Sequence, residues 1–343
     1  MKALLVRGPN DFSVVDRPDP VPATGTAILR IHYTGICATD IATIAGQSTV
    51  ARFPMTPGHE FIAQIEKIEE DSEFRVGDWV TIYPTEGCGT CSACREGHPN
   101  HCPDFKVWGV SRDGGAFAER MVVPVKQLLP VPERLRNSAG ALIEPTAVAV
   151  HALRRARLET GQRVAIIGIG SIGLLIAQAA RAGGAAQVTL VDRLPGRRAT
   201  AEALGFSDFM LASNGNLANE LSQAPGGPFD IVFDTVGIPA TLEAAIASLR
   251  ITGYLVALAF PHGDESLTLP YRMFYRKELS LILSRNYARD DFIEATRLLD
   301  SGAIASDVMI TGSFPLSRFA LALDALRQQP ADHIKVLINP SIE

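Results

Sequence analysis

The stretch Val164–Gly173, which reads V-A-I-I-G-I-G-S-I-G, joins a short apolar run to three glycines spaced G-x-G-x-x-G. An unbroken apolar run predicts a strand that is buried on both faces of a parallel sheet. Residues 171–182 are rich in Ile, Leu and Ala and predict a helix, so the glycines fall on a strand-to-helix turn. Such a turn lets the backbone approach a pyrophosphate and directs the N–H groups of the helix N-terminus at its charge. The predicted dinucleotide contacts are Gly168, Gly170, Ser171, Ile172 and Gly173.

A second apolar run, Ala186–Val191, ends in Asp192, which lies about 20 residues beyond the last glycine. A carboxylate at this position holds the ribose 2′-hydroxyl of NAD and repels the 2′-phosphate of NADP. Arg193, Arg197 and Arg198 follow closely and can offset part of that repulsion. The sequence therefore predicts an NAD site with the carboxylate of Asp192, and with Arg193 and Arg197 as further contacts. A plain strand–helix turn followed by a surface acid remains the alternative.

Length, composition and charge limit the classes of protein to which this chain can belong. Its 343 residues are enough for two domains, and 47% hydrophobic residues lie in the ordinary range of globular proteins. The net charge of −5, with both signs interspersed, argues against a nucleic-acid surface. The sequence shows neither an apolar run of membrane-spanning length nor a basic leader with an apolar core. We therefore expect a cytoplasmic protein without nucleic-acid or membrane partners.

Four of the five cysteines fall in one segment with the spacing Cys88-x2-Cys91-x2-Cys94-x7-Cys102. In a reducing compartment such a cluster holds a metal more often than it forms disulfides. Four thiolates complete a tetrahedral shell and leave no open position, so the pattern predicts a structural zinc. Two disulfides, or an iron–sulfur cluster held by similar spacing, are the alternatives.

A second possible metal site is spread over a longer stretch. Cys37 follows the predicted strand Ala27–Tyr33, and His59 and Glu60 precede the predicted strand Phe61–Ile65. A thiol, an imidazole and a carboxylate near turns can converge on zinc. The spacing alone does not show that these side chains meet. Each also has an ordinary alternative role, such as a small core cysteine, a hydrogen-bonded histidine or a surface acid.

Five motifs follow one another along the chain: G-I-C-A-T-D at 35–40, P-G-H-E at 57–60, the four cysteines, Glu144-Pro145, and the glycine-rich turn. Together they resemble the zinc-dependent medium-chain alcohol dehydrogenases over essentially the whole chain. The resemblance implies an α/β protein with a GroES-like, mostly β catalytic domain and a Rossmann domain built on a doubly wound parallel sheet. The implied boundaries are 1–145 for the catalytic domain with its structural zinc lobe, 146–285 for the NAD-binding domain, and 286–343 for a C-terminal return to the catalytic domain.

The resemblance also implies the ligands of a catalytic zinc. Cys37 and His59 match two ligands, and Glu60 matches the third ligand of the polyol dehydrogenase branch. Glu144 matches an acid that holds the zinc-bound water or exchanges into the ligand set. The alcohol dehydrogenase branch usually has a cysteine near the position of Glu144, and its absence here favours the polyol branch. Together with the structural site, the catalytic site would give the chain two zinc ions. The alternative interpretation of Glu60 and Glu144 is that they are surface acids at strand ends.

The same resemblance assigns the residues that handle the substrate proton. Thr39 matches the hydroxyl that takes this proton, and Asp40 matches an acid that holds His59 through its other ring nitrogen. Many relatives continue the relay with a histidine five residues after the cysteine, where this chain has Ala42. The proton would then leave through water or the cofactor ribose.

Two further stretches resemble polyol and sugar-acid relatives: residues 108–119, W-G-V-S-R-D-G-G-A-F-A-E, and residues 283–286, L-S-R-N. The second is similar to the S-R-N of L-galactonate 5-dehydrogenases. We therefore expect hydride transfer to NAD from a secondary alcohol of a polyol or sugar acid, of the galactonate, sorbitol or galactitol type. Arg285 faces the cofactor or a substrate carboxylate in this interpretation, and a surface arginine is the alternative.

Two other functions remain open on the sequence alone. An L-threonine 3-dehydrogenase, or another alcohol dehydrogenase, would use the same machinery on a different substrate. A non-catalytic, zinc-stabilised nucleotide-binding protein would use both metals only for structure. By analogy with bacterial relatives we expect a homo-oligomer, a tetramer.

The rest of the chain predicts a regular succession of elements. Strands and helices alternate between about residues 146 and 285, which is typical of βαβ units in one parallel sheet. The predicted strands are 229–234, 254–260, 279–283 and 334–338, and the predicted helices are 197–204, 240–249, 291–300 and 316–327.

Overall fold

The computed structural model describes residues 1–69, 71–212, 215–259 and 268–342, and the chain divides into two compact units. The first unit comprises Met1–Glu144, Ala288–Asp300 and Met309–Glu343, and the second comprises Pro145–Tyr287 and Ser301–Val308. The sequence-based domain boundaries give residues 301–308 to the catalytic domain, whereas the structure groups them with the second unit.

Strands form the sheets of both units. In chain order they are β1 (Lys2–Gly8), β2 (Asp11–Asp16), β3 (Thr26–Gly35), β4 (Glu60–Lys67), β5 (Trp79–Ile82), β6 (Thr85–Glu86), β7 (Lys106–Val107), β8 (Arg120–Pro124), β9 (Leu128–Pro130), β10 (Arg163–Ile167), β11 (Gln187–Asp192), β12 (Phe209–Leu211), β13 (Phe229–Asp234), β14 (Leu249–Ala257), β15 (Ser280–Leu283), β16 (Ile310–Pro315) and β17 (Lys335–Asn339).

The helices are short to medium in length. In the described residues, none of them is both long and apolar enough to cross a membrane. In chain order they are α1 (Ala38–Ile44), α2 (Ser92–Arg95), α3 (Ile143–Ala156), α4 (Ser171–Ala182), α5 (Arg197–Ala203), α6 (Leu217–Ser222), α7 (Pro239–Ser248), α8 (Tyr271–Lys277), α9 (Arg289–Asp300), α10 (Ser306–Met309) and α11 (Phe319–Gln328), with 3-10 turns at Pro99–His101, Val125–Gln127, Glu133–Leu135, Ser138–Leu142 and Leu316–Arg318.

The first unit is built on a mixed, mostly antiparallel sheet with the strand order β16-β17-β3-β4-β5-β9, in which β8 also pairs with β3. The long strand β3 is the centre of this sheet because it pairs with β17, β4 and β8. Its last residue, Gly35, is opposite Glu60 of β4 and opposite Leu337 of β17. Three segments that are far apart in sequence therefore meet at one end of the sheet.

The second unit is built on a parallel sheet with the order β12-β11-β10-β13-β14-β15. The apolar run Val164–Ile167 of β10 is buried at its centre, as expected for a strand covered on both faces. β10 pairs with β11 on one side and with β13 on the other, so the strand order reverses beside it. In doubly wound sheets, ligands bind outside the carboxyl ends of the strands at such a reversal. The prediction of a doubly wound parallel sheet is confirmed.

Most of the predicted elements are present, with small differences at their ends. The helix predicted at 171–182 and the strand predicted at 229–234 have the observed bounds of α4 and β13. Strand β14 begins before its predicted start and ends at Ala257, and its predicted end, Phe260, lies outside the described residues. The helix predicted at 316–327 begins as a 3-10 turn, and the short elements α1 and β12 were not predicted.

Candidate metal and cofactor sites

The end of β3 and the start of β4 bring three potential metal ligands together. Because Gly35 is paired with Glu60, Cys37 and His59 lie just beyond two adjacent strand ends. The donor atoms of Cys37, His59 and Glu60 all lie within 4.8 Å of one another, and His59 and Glu60 are buried. One thiol, one imidazole and one carboxylate at this spacing fit zinc with a fourth position left open.

Asp40 lies behind His59, in the first turn of α1. Its Oδ2 atom accepts a hydrogen bond from the backbone N–H of Cys37 at 2.9 Å, which fixes the carboxylate. Its Oδ1 atom lies 3.6 Å from Nδ1 of His59, and in the described part of the chain both atoms are buried without a hydrogen-bond partner. Burial lowers the pKa of His59, but the side chains of Asp40 and Cys37 raise it well above its usual value. The surroundings therefore favour positive charge at this position, and a metal ion that binds the imidazole would replace the proton.

Glu60 has a buried partner that we did not predict. Nζ of Lys335 donates to Oε1 and Oε2 of Glu60 at 2.9 and 2.6 Å, and to the carbonyl of Ile36 at 3.3 Å. Burial lowers the pKa of Lys335, but the charges of Glu60, Cys37 and Glu144 raise it above its usual value. The ammonium group therefore stays charged at neutral pH. A lysine inside an apolar strand was the available signal in the sequence.

Two further predicted residues lie in the first unit without joining this group. Glu144 is the second residue of α3 and is buried. Its charge acts on Lys335, but among the described residues it is not one of the donors that lie within 4.8 Å of one another. Thr39 lies in the first turn of α1 and is partly exposed. The catalytic roles of Glu144 and Thr39 stay predictions.

A backbone clamp holds the loop that leads to His59. Three N–H groups in residues 115–117 donate to the carbonyls of residues 56–58 at 2.8 to 3.0 Å. Gly109 packs so closely on this loop that a Cβ atom there would collide with the carbonyl of the facing glycine. The stretch 108–119, which resembles sugar-acid relatives, thus supports the metal-binding loop through its backbone.

The structure also brings the four clustered cysteines together. Their sulfur atoms lie within 4.8 Å of one another, and all of them are free thiols. Backbone N–H groups of the same loop point at the sulfurs, for example from Cys88 to Cys102 at 3.3 Å and from Cys91 to Cys88 at 3.4 Å. Hydrogen bonds from Thr90 and from the backbone lower the pKa of Cys88 to about 6. Four thiols with N–H···S support fit a tetrahedral zinc with a closed shell.

The glycine-rich turn lies between β10 and α4, and each of its three positions requires glycine for a different physical reason. Gly168 has a φ of +86°, and a Cβ atom there would press on the side chains of Thr235 and Val236. A Cβ atom at Gly173 would collide with the carbonyl of Gly168, so α4 packs directly on the turn. At Gly170, by contrast, a Cβ atom would meet nothing within 4 Å. The backbone at the N-terminus of α4 is therefore open to the approach of a phosphate group.

Asp192 ends β11 beside this turn. Its Oδ2 atom accepts a hydrogen bond from the N–H of Ile169 at 2.9 Å, and its Oδ1 atom accepts one from the N–H of Leu194 at 2.9 Å. These two bonds fix the carboxylate against the glycine-rich turn, where the sequence predicts the ribose.

The other predicted cofactor contacts differ in exposure. Ser171 and Ile172 form the start of α4 and are partly exposed. Arg193 is exposed, whereas Arg197 is buried at the start of α5. Arg198 places its guanidinium over an aromatic ring of β12 at 4.7 Å. Of the three arginines, Arg193 is therefore the one that is accessible without a rearrangement of packed contacts.

Asp234 ends β13 on the other side of β10, and we did not predict it as a site residue. Its Oδ1 atom accepts hydrogen bonds from the N–H groups of residues 236–237 at 2.8 and 3.1 Å, and its Oδ2 atom accepts one from the hydroxyl of Thr241 at 2.8 Å. Burial raises the pKa of Asp234, and these hydrogen bonds offset only part of that shift. The loop that it fixes includes Thr235, whose hydroxyl donates to the carbonyl of Gly168 at 2.7 Å. The sequence feature that could have identified Asp234 is an acid at the end of an apolar strand, as at Asp192 in β11.

Arg285 follows β15 at the carboxyl edge of the same parallel sheet. Its side chain is exposed, and the residue before it is buried and donates its N–H to the carbonyl of Ala257 at 3.0 Å. The backbone at this point is fixed and the arginine is accessible. Its contact with a cofactor or a substrate stays a prediction.

Two family models match successive parts of the chain. Residues 23–133 match the family model of the alcohol dehydrogenase GroES-like domain, and residues 171–301 match that of zinc-binding dehydrogenases. The L-galactonate-5-dehydrogenase of Escherichia coli (strain K12) is 33% identical over 325 residues, which cover 93% of each chain. The chain belongs to the zinc-binding alcohol dehydrogenase family. This dehydrogenase is therefore an oxidoreductase of the alcohol dehydrogenase class, with a GroES-like and a Rossmann-type domain.

Two solved structures share the fold of this dehydrogenase over 99% of each chain. One, from Escherichia coli CFT073 and named short chain alcohol dehydrogenase (rspB), is complexed with NADH; it is 28% identical and has a TM-score of 0.91. The other, a zinc-binding dehydrogenase from Sinorhizobium meliloti 1021, is bound to NADP; it is 29% identical and also has a TM-score of 0.91. These relatives differ in the dinucleotide that they hold, so the choice of cofactor depends on residues of the individual chain.

Proposed function

We propose that this dehydrogenase uses zinc and NAD to oxidise a secondary alcohol of a polyol or sugar acid. The observation that carries the proposal is the buried group of Cys37, His59 and Glu60, whose donor atoms lie within 4.8 Å of one another. A bound zinc supplies a Lewis acid that lowers the pKa of an alcohol hydroxyl, and the nicotinamide accepts the hydride. A single thiolate among the three donors leaves the ion more electrophilic than two thiolates would.

The side chains around this group divide the remaining tasks. Asp40 orients His59, because its carboxylate faces Nδ1 and leaves the other ring nitrogen for the metal. The partly exposed hydroxyl of Thr39 takes the proton of the substrate alcohol. Because Ala42 stands where many relatives have the histidine that ends the relay, water or the cofactor ribose carries that proton onward. Glu144, buried in the same unit, holds a water or the substrate hydroxyl.

The preference for NAD over NADP rests on Asp192. Two backbone N–H groups hold its carboxylate against the glycine-rich turn, and a fixed negative charge there opposes a 2′-phosphate. Replacing Asp192 by Ala removes that charge, so the ratio of kcat/KM with NAD to kcat/KM with NADP should fall at least about tenfold. The matched control is Asp208→Ala, an exposed acid that contacts the first residue of β11. An unchanged ratio in Asp192→Ala contradicts the assignment.

The substrate class is supported by two features. The sugar-acid dehydrogenase described above is 33% identical to this chain, and the chain has no cysteine near Glu144. The test measures NADH absorbance and zinc content of the purified enzyme with a panel of sorbitol, galactitol, L-galactonate and L-threonine. We expect two zinc ions per chain and the highest kcat/KM with a polyol or sugar acid.

Each alternative predicts a different result in this experiment. Highest activity with L-threonine would support an amino-acid dehydrogenase on the same scaffold. One zinc per chain, with NADH binding and without turnover of any substrate, would support a zinc-stabilised nucleotide-binding protein. Replacing Cys37 by Ser in the active enzyme then shows whether turnover depends on the metal group.

We further propose a homo-oligomer, a tetramer by analogy, in the cytoplasm. Strand β15 is at the edge of the parallel sheet, and Leu283 on it is 68% exposed. An apolar edge strand can pair with the same strand of a second copy about a twofold axis. The clustered free thiols fit a reducing compartment. Light scattering should give more than one chain per particle and a smaller particle for Leu283→Lys; a monomeric native protein contradicts the proposal.

A further inference from the structure

Lys335 and Glu60 form an ion pair that is sealed inside the first unit. Lys335 is 2% exposed and Glu60 is 1% exposed, and the ammonium group donates to both carboxylate oxygens. The backbone makes room for this pair at Gly35, where a Cβ atom would collide with Oε2 of Glu60 and lie 3.3 Å from Cδ of Lys335. The carbonyl of Ile36 accepts a third hydrogen bond from the lysine. Both charged groups are thus held in one geometry.

The same carboxylate belongs to the metal-binding group. A donor oxygen of Glu60 lies within 4.8 Å of the donor atoms of Cys37 and His59. A carboxylate oxygen that accepts a charge-assisted hydrogen bond has less electron density to give to a metal. Lys335 and a metal ion therefore compete for one side chain, and the lysine also places a positive charge near the ion.

We propose that Lys335 is a positioning residue that keeps Glu60 a weak and replaceable metal ligand. This inference rests on the proposed function, in which Cys37 and His59 hold a zinc ion. By drawing the carboxylate toward β17, Lys335 leaves room at the ion for the oxygen of an alcohol substrate. Without the ammonium group, Glu60 would bind the metal firmly and occupy that room.

The first test compares the zinc affinity of Lys335→Met with that of the native enzyme. The affinity is measured as the chelator concentration that removes the zinc ion held by the Cys37 group, which is identified as the ion that Cys37→Ser loses. We expect the affinity to rise at least about tenfold, because the released carboxylate can then bind the ion directly, and changes in what orients a metal ligand typically alter metal affinity by about 10- to 100-fold. In the cobalt-substituted enzyme, the visible absorption bands should shift as the carboxylate joins the ligand set. Turnover should fall with little change in the KM for NAD.

Lys277 offers a matched control. Its Nζ also donates three hydrogen bonds, to the carbonyls of Ile246, Ala247 and Leu249 at 3.1, 2.8 and 2.7 Å, and it belongs to the second unit. Lys277→Met should lower thermal stability and leave zinc affinity and the cobalt spectrum as in the native enzyme. If Lys335→Met does not fold, Lys335→Gln is expected to raise the affinity by a smaller factor, because its neutral N–H donor holds the carboxylate less firmly than the ammonium group does.

A double-mutant cycle separates positioning from a simple charge effect. If Lys335 acts through Glu60, Lys335→Met should raise zinc affinity by a factor at least about threefold smaller in a Glu60→Gln background than in the native background, because only the loss of the lysine charge acts there. An equal rise in both backgrounds would overturn the positioning role. If the zinc affinity and the cobalt spectrum of Lys335→Met equal those of the native enzyme, the ion pair has only a structural role and the proposal is wrong. Neither result affects the proposed function, which depends on zinc content and on substrate oxidation by the native enzyme.

Discussion

Oδ1 of Asp40 lies 3.6 Å from Nδ1 of His59, while Oδ2 of the same carboxylate accepts a hydrogen bond from the backbone N–H of Cys37. One buried side chain therefore determines the positions of two potential metal donors. The two donors come from different strand ends, and the carboxylate connects them at the N-terminus of α1.

Replacing Asp40 by Asn should weaken zinc binding at this group by about 10- to 100-fold, the usual effect of losing a residue that orients a metal ligand. An amide nitrogen cannot accept a hydrogen bond, so one of the two contacts of Asp40 is lost. Zinc retention against a chelator measures the effect. Asp324→Asn, on the exposed face of α11, is the control, and equal retention in both variants would show that Asp40 does not support the metal.

The two groups of thiols should respond differently to loss of a sulfur. Cys37→Ser should abolish turnover and leave the thermal midpoint of unfolding within a few degrees of the native value, because an open site contributes little to folding. Cys94→Ser should lower that midpoint much more, because a closed four-thiolate site contributes binding energy to folding. Calorimetry and NADH formation on both variants check this. Full turnover in Cys37→Ser, or native stability in Cys94→Ser, would contradict the assignment.

The glycines of the turn permit a paired test with the same substitution. Gly170→Ala adds a methyl group where there is open space, so stability should change by less than about 1 kcal/mol. That methyl group lies where the phosphates approach, so the Kd for NADH should rise about tenfold or more. Gly173→Ala meets the carbonyl of Gly168 and should cost about 2 kcal/mol or more of stability. Chemical denaturation and NADH fluorescence titration distinguish the two; equal destabilisation would refute this account of the turn.

Asp234 should give the second unit a measurable dependence on pH. Its pKa is raised by burial, so the folded state binds the proton more tightly than the unfolded state does. The resulting stability is present below about pH 4, the usual pKa of aspartate, and is lost as pH rises through the folded-state pKa. Asp234→Asn keeps an acceptor for both N–H groups and lacks this titration.

The free energy of unfolding of Asp234→Asn, relative to the native enzyme, should therefore increase from acidic to neutral pH. Asp234→Ala removes the acceptor and leaves the buried N–H group of Gly237 and the buried hydroxyl of Thr241 without this partner, which should cost about 2 kcal/mol or more. Urea unfolding at several pH values checks both variants. If the free energies of unfolding of Asp234→Asn and of the native enzyme differ by the same amount at every pH, Asp234 does not titrate in this way.

Local patterns were enough to predict the centre of the second unit. The apolar run before Gly168, the glycine spacing and the acid at Asp192 are all encoded within 30 residues or fewer, and the structure has the expected strand, turn and helix there. The cysteine cluster is equally local. Short elements were missed for a physical reason: β12 has three residues and α1 has seven, too few for a hydrophobic period to repeat.

Long-range partners were beyond the reach of the sequence. Glu60 was predicted as a ligand, but its ion pair with Lys335 joins residues 275 positions apart, and their meeting depends on the pairing of β3 with both β4 and β17. The stretch 108–119 was interpreted through the substrates of relatives, whereas its observed contacts are to the loop before His59. Backbone-to-backbone contacts of this kind depend little on the identity of the side chain, so the sequence does not reveal them.

The distance along the chain between Glu60 and Lys335 has a consequence during translation. At about 5–20 residues per second, the ribosome reaches the lysine codon roughly 14–55 s after the glutamate codon, given a separation of 275 residues. During that interval a nascent chain presents the carboxylate, the thiol and the imidazole with no ammonium competitor. The ion pair that restrains Glu60 can therefore form only after Lys335 in β17 has been synthesised.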